Sequence, residues 1–224
     1  MAISYTVKTT KTSTDWSTSL TTTSFTPDNN TMLLVLCTGL REGQGAPTFG
    51  CSGGGLSWTK RYESKSTNDF GPWGVVYTAS VVSGASMTVQ VTFSNTQMGS
   101  VIRVYQITGA DESDPIGNTA EDEYDTWYNY TTTLSISTTA SDSLTIGWIV
   151  GDEWTNTLLD TGNGWTSDGH VVGIEFAETA SGTKEGAIDT VHYTCDYLYY
   201  LGGTFAVEVK AGAVSAGYSF GIIY

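Results

Sequence analysis

Residues 109 to 130, GADESDPIGNTAEDEYDTWYNY, hold seven carboxylates and four aromatic rings in a chain otherwise dominated by threonine, glycine and short apolar runs. Within this stretch Glu121, Glu123 and Asp125 alternate, so an extended backbone would aim three carboxyl groups to one side. Paired carboxylates are the working groups of glycosidases, which set them about 5–5.5 Å apart for retention or roughly 6.5–9.5 Å apart for inversion. One of the pair must have a raised pKa, which requires apolar neighbours. The interleaved residues here are Asp122 and Tyr124, which build no apolar wall. The expectation is an exposed acidic connection with no catalytic residue.

The same oxygens suit calcium, which takes about six to eight oxygen ligands. Asp111 and Asp114, ahead of the turn Pro115-Ile116-Gly117, join Glu121, Glu123 and Asp125 as candidate ligands. No D-x-[DN]-x-[DN]-G loop accompanies them, so calcium is the one cofactor that residue types suggest, without a diagnostic spacing.

Aromatic residues form a second cluster of interest. Trp127-Tyr128-Asn129-Tyr130 and Tyr197-Leu198-Tyr199-Tyr200 place rings on both faces of any strand they form, so one face of each looks away from the core. Trp127, Tyr128, Tyr130, Tyr197, Tyr199 and Tyr200 are therefore candidates for a protein interface or a glycan platform, with cross-strand packing as the third reading. His170 and His192 stand without a cysteine or carboxylate at ligand spacing, and neither a G-x-S-x-G elbow nor a phosphate loop is present.

The elements that must position these groups read as strands throughout, since no stretch repeats apolar residues at helical spacing over three turns. Strands are expected at 19–25, 32–37, 56–62, 73–82, 86–93, 100–108, 131–137, 143–150, 171–176, 187–193 and 197–210. The run Met32 to Cys37 fits a strand buried on both faces, entered through the turn Pro27-Asp28-Asn29-Asn30. Val89, Val91 and Phe93 alternate with Thr88, Gln90 and Thr92, placing one face inward and one toward water. Asn95 to Gly99 reads as a turn. No helical crossover is present, so the predicted fold is all-β: a two-sheet antiparallel β-sandwich of jelly-roll type over residues 18–224, with an extended N-terminal arm over 1–17.

Charge narrows the partners. Twenty-three acids against nine bases give a net charge of −14, a field that repels phosphate backbones and anionic lipid headgroups, so neither nucleic acid nor membrane is an expected partner. The first residues lack the apolar core of a secretory signal, and no run approaches the roughly 20 apolar residues that span a bilayer. Cys37, Cys51 and Cys195 are too few and scattered for a disulfide framework and read as free thiols.

In order, the segments FTPDNNTMLLVLCTG, GLSWTK, VYTASVVSGASMTVQVTFS, VIRVYQITGADESDPIG and GNGWTSDG resemble the jelly-roll modules of tailed-phage virion proteins, also found in some bacterial surface proteins. The likeness runs from about residue 18 to the end, and its motifs are structural. It carries no catalytic residue across. What the resemblance implies is a non-enzymatic virion component, a head-decoration or cement protein or a tail-associated module, assembled in the host cytoplasm. Its partners would be other capsid or tail proteins and further copies of itself. The alternative it leaves open is a carbohydrate-binding adsorption module that meets a host glycan.

Overall fold

The computed structural model describes residues 3–13, 16–40, 47–66, 71–124, 130–151, 157–159, 165–172, 178–185, 190–195 and 202–212. These form fifteen strands: β1 (Ser4–Thr12), β2 (Ser17–Thr21), β3 (Thr31–Leu40), β4 (Phe49–Ser52), β5 (Thr59–Lys65), β6 (Pro72–Val81), β7 (Gln90–Thr108), β8 (Ile116–Tyr124), β9 (Tyr130–Ser135), β10 (Leu144–Gly151), β11 (Thr157–Leu159), β12 (Thr166–Val172), β13 (Glu178–Glu185), β14 (Thr190–Cys195) and β15 (Gly202–Val209). Every pairing between them is antiparallel.

The first sheet runs β1-β7-β3-β6-β5, with β2 and β4 added to β7; a second runs β12-β13-β10-β15-β8; a third joins β11, β14 and β9. Strand β3 sits at the centre and is buried at all ten positions. Leu34 and Leu36 face one way, into a core shared with Leu144, Ile146, Trp148, Phe205 and Val207 of β10 and β15. Leu33, Val35 and Cys37 face the other way, against Leu20, Phe25, Met87, Val91 and Phe93. Each fully buried Leu, Val or Phe stabilises the fold by about 1.5–3 kcal/mol, so both faces hold the sheet in place.

The second core exists because β7 belongs to two layers. Its first residues, 90–97, pair with β2 and β4; its later residues, 98–108, pair with β1 and β3. The stretch Asn95 to Gly99, expected as a turn between two strands, instead bends one continuous strand. Gly99 takes φ 62°, and the buried Gln97 amide donates to the carbonyls of Asn95 and Thr96, satisfying backbone oxygens that the bend frees. The bent strand carries β2 and β4 as a ribbon over the outer face of the first sheet, so the expected two layers become three.

Local chemistry fits the packing. The ring of Trp148 stacks on Phe205 at 5.5 Å and meets Tyr62 edge-on at 6.1 Å, while Phe49, Trp73 and Phe93 form a trio in the second core. A Cβ at position 74 would lie 3.1 Å from the Trp148 indole nitrogen, a close approach that glycine leaves free. The expected turn before β3 is present: Asn30 adopts φ 54°, and Asp28 and Gln106 exchange two hydrogen bonds of 2.7 Å. The N-terminal segment expected as an arm is extended, and over Ser4–Thr12 it is an edge strand paired with β7, with Ile3 buried in the first core.

Candidate functional site

The acids of the opening segment lie on and before β8, the edge strand of the second sheet. β8 pairs with β15 in a register that sets Glu121 opposite Phe205 and Glu123 opposite Gly203. The two-residue spacing read from the sequence does direct both carboxylates to one neighbour, which is β5, the edge of the first sheet. The Tyr62 hydroxyl donates to Glu121, and the Ser66 hydroxyl donates to Glu123 Oε2 at 2.9 Å. Burial, reinforced by the Glu121 carboxylate, pushes the Tyr62 hydroxyl well above the usual phenol range. These acids close a seam between two sheets.

Asp111 and Asp114 do different work at the other end of β8. Asp111 Oδ1 accepts from the Ser113 backbone N–H at 2.9 Å, the Ser113 hydroxyl at 2.6 Å and the Asp114 N–H at 3.2 Å, a local turn that holds its carboxyl below the ordinary range. Asp114 pairs with Lys210 at 2.5 Å. About 17 Å of strand parts Ile116 from Glu121, so no single ion takes oxygens from both pairs. Among the described residues no group of three or more His, Cys, Asp or Glu side chains converges as a metal cage. Asp125, Trp127, Tyr128, Tyr197, Tyr199 and Tyr200 lie outside the described residues; Tyr130 opens β9, where it pairs with Cys195 of β14.

A second seam lies at the opposite edges of the first two sheets, where β12 meets β1 and β7. The Tyr105 hydroxyl donates to Asp168 Oδ2 at 3.0 Å, while the buried Arg103 donates to the Gly169 carbonyl at 3.1 Å and to Thr10 at 3.2 Å. Burial raises the Asp168 pKa, and the Tyr105 hydroxyl and the Arg103 charge only partly oppose it. Sequence reading passed over this carboxyl. Asp168 and Gly169 lie at a bulge in β12, with Gly169 at φ 98°.

Glu208 was missed too. Its side chain is buried, and it accepts from the N–H groups of Asn118, Thr139 and Ala140 and from the hydroxyls of Thr139 and Ser143. Burial pushes this carboxyl up, but the Ser143 hydroxyl and the backbone donors outweigh it and leave the pKa lowered. Gly117 makes room, because a Cβ there would stand 2.1 Å from Glu208 Oε2. Cys37 and Cys51 are free thiols, pushed up by burial, Cys51 to about 12, so neither is primed as a nucleophile.

Compared with known proteins, the chain matches no protein-family model, no curated protein and no solved structure.

Proposed function

We propose that this chain is a non-enzymatic structural module of a tailed-phage virion, a head-decoration or tail-associated protein of the jelly-roll kind that acts through contacts with other virion proteins and with copies of itself. One observation carries the reading: the carboxylates Glu121, Glu123, Asp114, Asp168 and Glu208 are each bonded to a group on another element, so they cross-tie the body. Here the acids stiffen a body whose remaining surface is available for contact. The resemblance over residues 18–224 supplies the setting, and antiparallel sheets with open edge strands supply a means of docking.

Mass spectrometry and cryo-electron microscopy of purified particles from a phage that encodes the chain test this. The expected result is the chain present in stoichiometric amount, with density for its layered β body on the head or the tail. Particles that lack the chain would overturn the proposal.

A further inference from the structure

The ribbon of β2, β7 and β4 turns its apolar side chains onto the second core and presents its other face to solvent. Register fixes two rows across that face: Ser19, Thr92 and Gly50 in one, Thr21, Gln90 and Ser52 in the other, with Ser94 next along β7. Thr21, Thr92, Ser52 and Ser94 are exposed. Neighbouring strands lie about 4.8 Å apart and alternate residues about 6.8 Å apart, so the groups form a regular polar grid.

What is missing from this layer is informative. Residues 16–27, 47–59 and 71–102 contain no charged residue, although the chain holds 23 acids and 9 bases. The outward strand positions of the ribbon carry no apolar side chain either. The grid is also held in order: the Gln90 amide donates to the Thr21 hydroxyl at 3.1 Å, and Ser94 Oγ accepts from the Thr48 N–H at 2.9 Å. Gly50 keeps the centre open, since a Cβ there would lie 2.7 Å from Thr92 Oγ1.

We infer that this face binds a neutral polysaccharide. A nucleic acid needs basic residues, a lipid surface needs apolar or basic ones, and a protein partner is anchored by buried aromatic or arginine side chains; the grid supplies none of these. A hydroxyl both donates and accepts, and so does each hydroxyl of a sugar, so an ordered uncharged grid complements a ligand that repeats the same chemistry without charge. Binding at one copy is weak by nature and gains from many copies on one surface. This inference uses none of the aromatic segments at 127–130 and 197–200, and it stands whether or not the chain is part of a virion.

The test is retention of the full chain on cellulose, mannan, galactan and amylose, followed by titration with neutral and sialylated oligosaccharides. Retention on at least one neutral polymer is expected, with no preference for sialylated ligands and little change at about 0.5 M salt, where charge-driven binding is screened. The double variant Thr21→Val/Thr92→Val keeps β-branched shape on an exposed face and should fold, as circular dichroism would verify; it should bind about tenfold more weakly. Gln90→Lys, which sets a charge at the centre of the grid, should bind more weakly still. No retention on any of the four polymers, or retention unchanged in both variants, would overturn the inference.

Discussion

The two seams between the first and second sheets solve one problem with the same pair of groups and opposite surroundings. At the β5–β8 seam a tyrosine hydroxyl meets Glu121, a carboxylate that stays exposed. At the β7–β12 seam a tyrosine hydroxyl meets Asp168, which is partly buried beside a guanidinium that is itself 3% exposed. In the first case water reaches both carboxylates, Glu121 and Glu123, so each tie adds little. In the second, removing a donor strands the groups it serves in a medium that solvates them poorly. The lesson is that the acid-rich segment conspicuous in the sequence is the energetically lighter seam, and the inconspicuous one is the heavier.

Five changes would break or sharpen that contrast, and their expected sizes fall in order. Arg103→Ala should cost about 3–5 kcal/mol, because it removes the donors to Gly169 and Thr10 and leaves Asp168 without its opposing charge. Urea unfolding would measure it, and a loss under about 1 kcal/mol would erase the distinction between the seams. Glu208→Gln comes next at about 2–3 kcal/mol, since an amide replaces one accepting oxygen of a multiply bonded carboxylate with a donor that faces other donors.

Its pH dependence gives a second readout. The Glu208 pKa is lowered by folding, so its contribution is present above the ordinary value of 4.5 and is lost as pH falls through the folded value. The variant should therefore lose less stability than the parent between neutral pH and acid.

Tyrosine-to-phenylalanine changes test the contrast directly. Tyr105→Phe should cost about 1–2 kcal/mol, while Tyr62→Phe should cost under about 1 kcal/mol because water replaces the lost donor to Glu121. Equal effects in thermal unfolding would show the surroundings to be irrelevant. The smallest effect belongs to Asp168→Asn. Folding raises this carboxyl above its ordinary 3.8, so its contribution is greatest below that value and is lost as pH rises through the folded pKa. Removing the titration should flatten a shallow decline that runs opposite in sign to that of Glu208. A stability profile identical to the parent across pH 3 to 7 would show that Asp168 titrates alike in both states.

Much of the architecture was legible, and what was missed shares a cause. Met32 to Cys37 announced a strand buried on both faces, and it lies within β3; Val89, Val91 and Phe93 announced a one-sided pattern, which burial bears out, although the strand starts only at Gln90 and runs on to Thr108. Strand β13, ETASGTKE, gave no alternation of apolar residues, yet it pairs on both sides, with β10 and β12. Its place is set by backbone hydrogen bonds to those two neighbours rather than by a pattern of its own. Asn95 to Gly99 carried the residues of a turn but not the information that the chain would bend without reversing. For the site, spacing told correctly that Glu121 and Glu123 share a side. What they meet, Tyr62 and Ser66, lies more than fifty residues away and left no local mark. Arg103, Asp168 and Glu208 were invisible for the same reason.

The nineteen-residue β7 has one last consequence. A single unbroken backbone runs through both hydrophobic cores, so neither can melt while the other keeps its full complement of neighbours. Val91 in the second core and Tyr105 in the first should lose amide protection together, in one concerted opening. The ribbon is thus no detachable lid, and whatever grips its outer face pulls on the keel of the whole molecule.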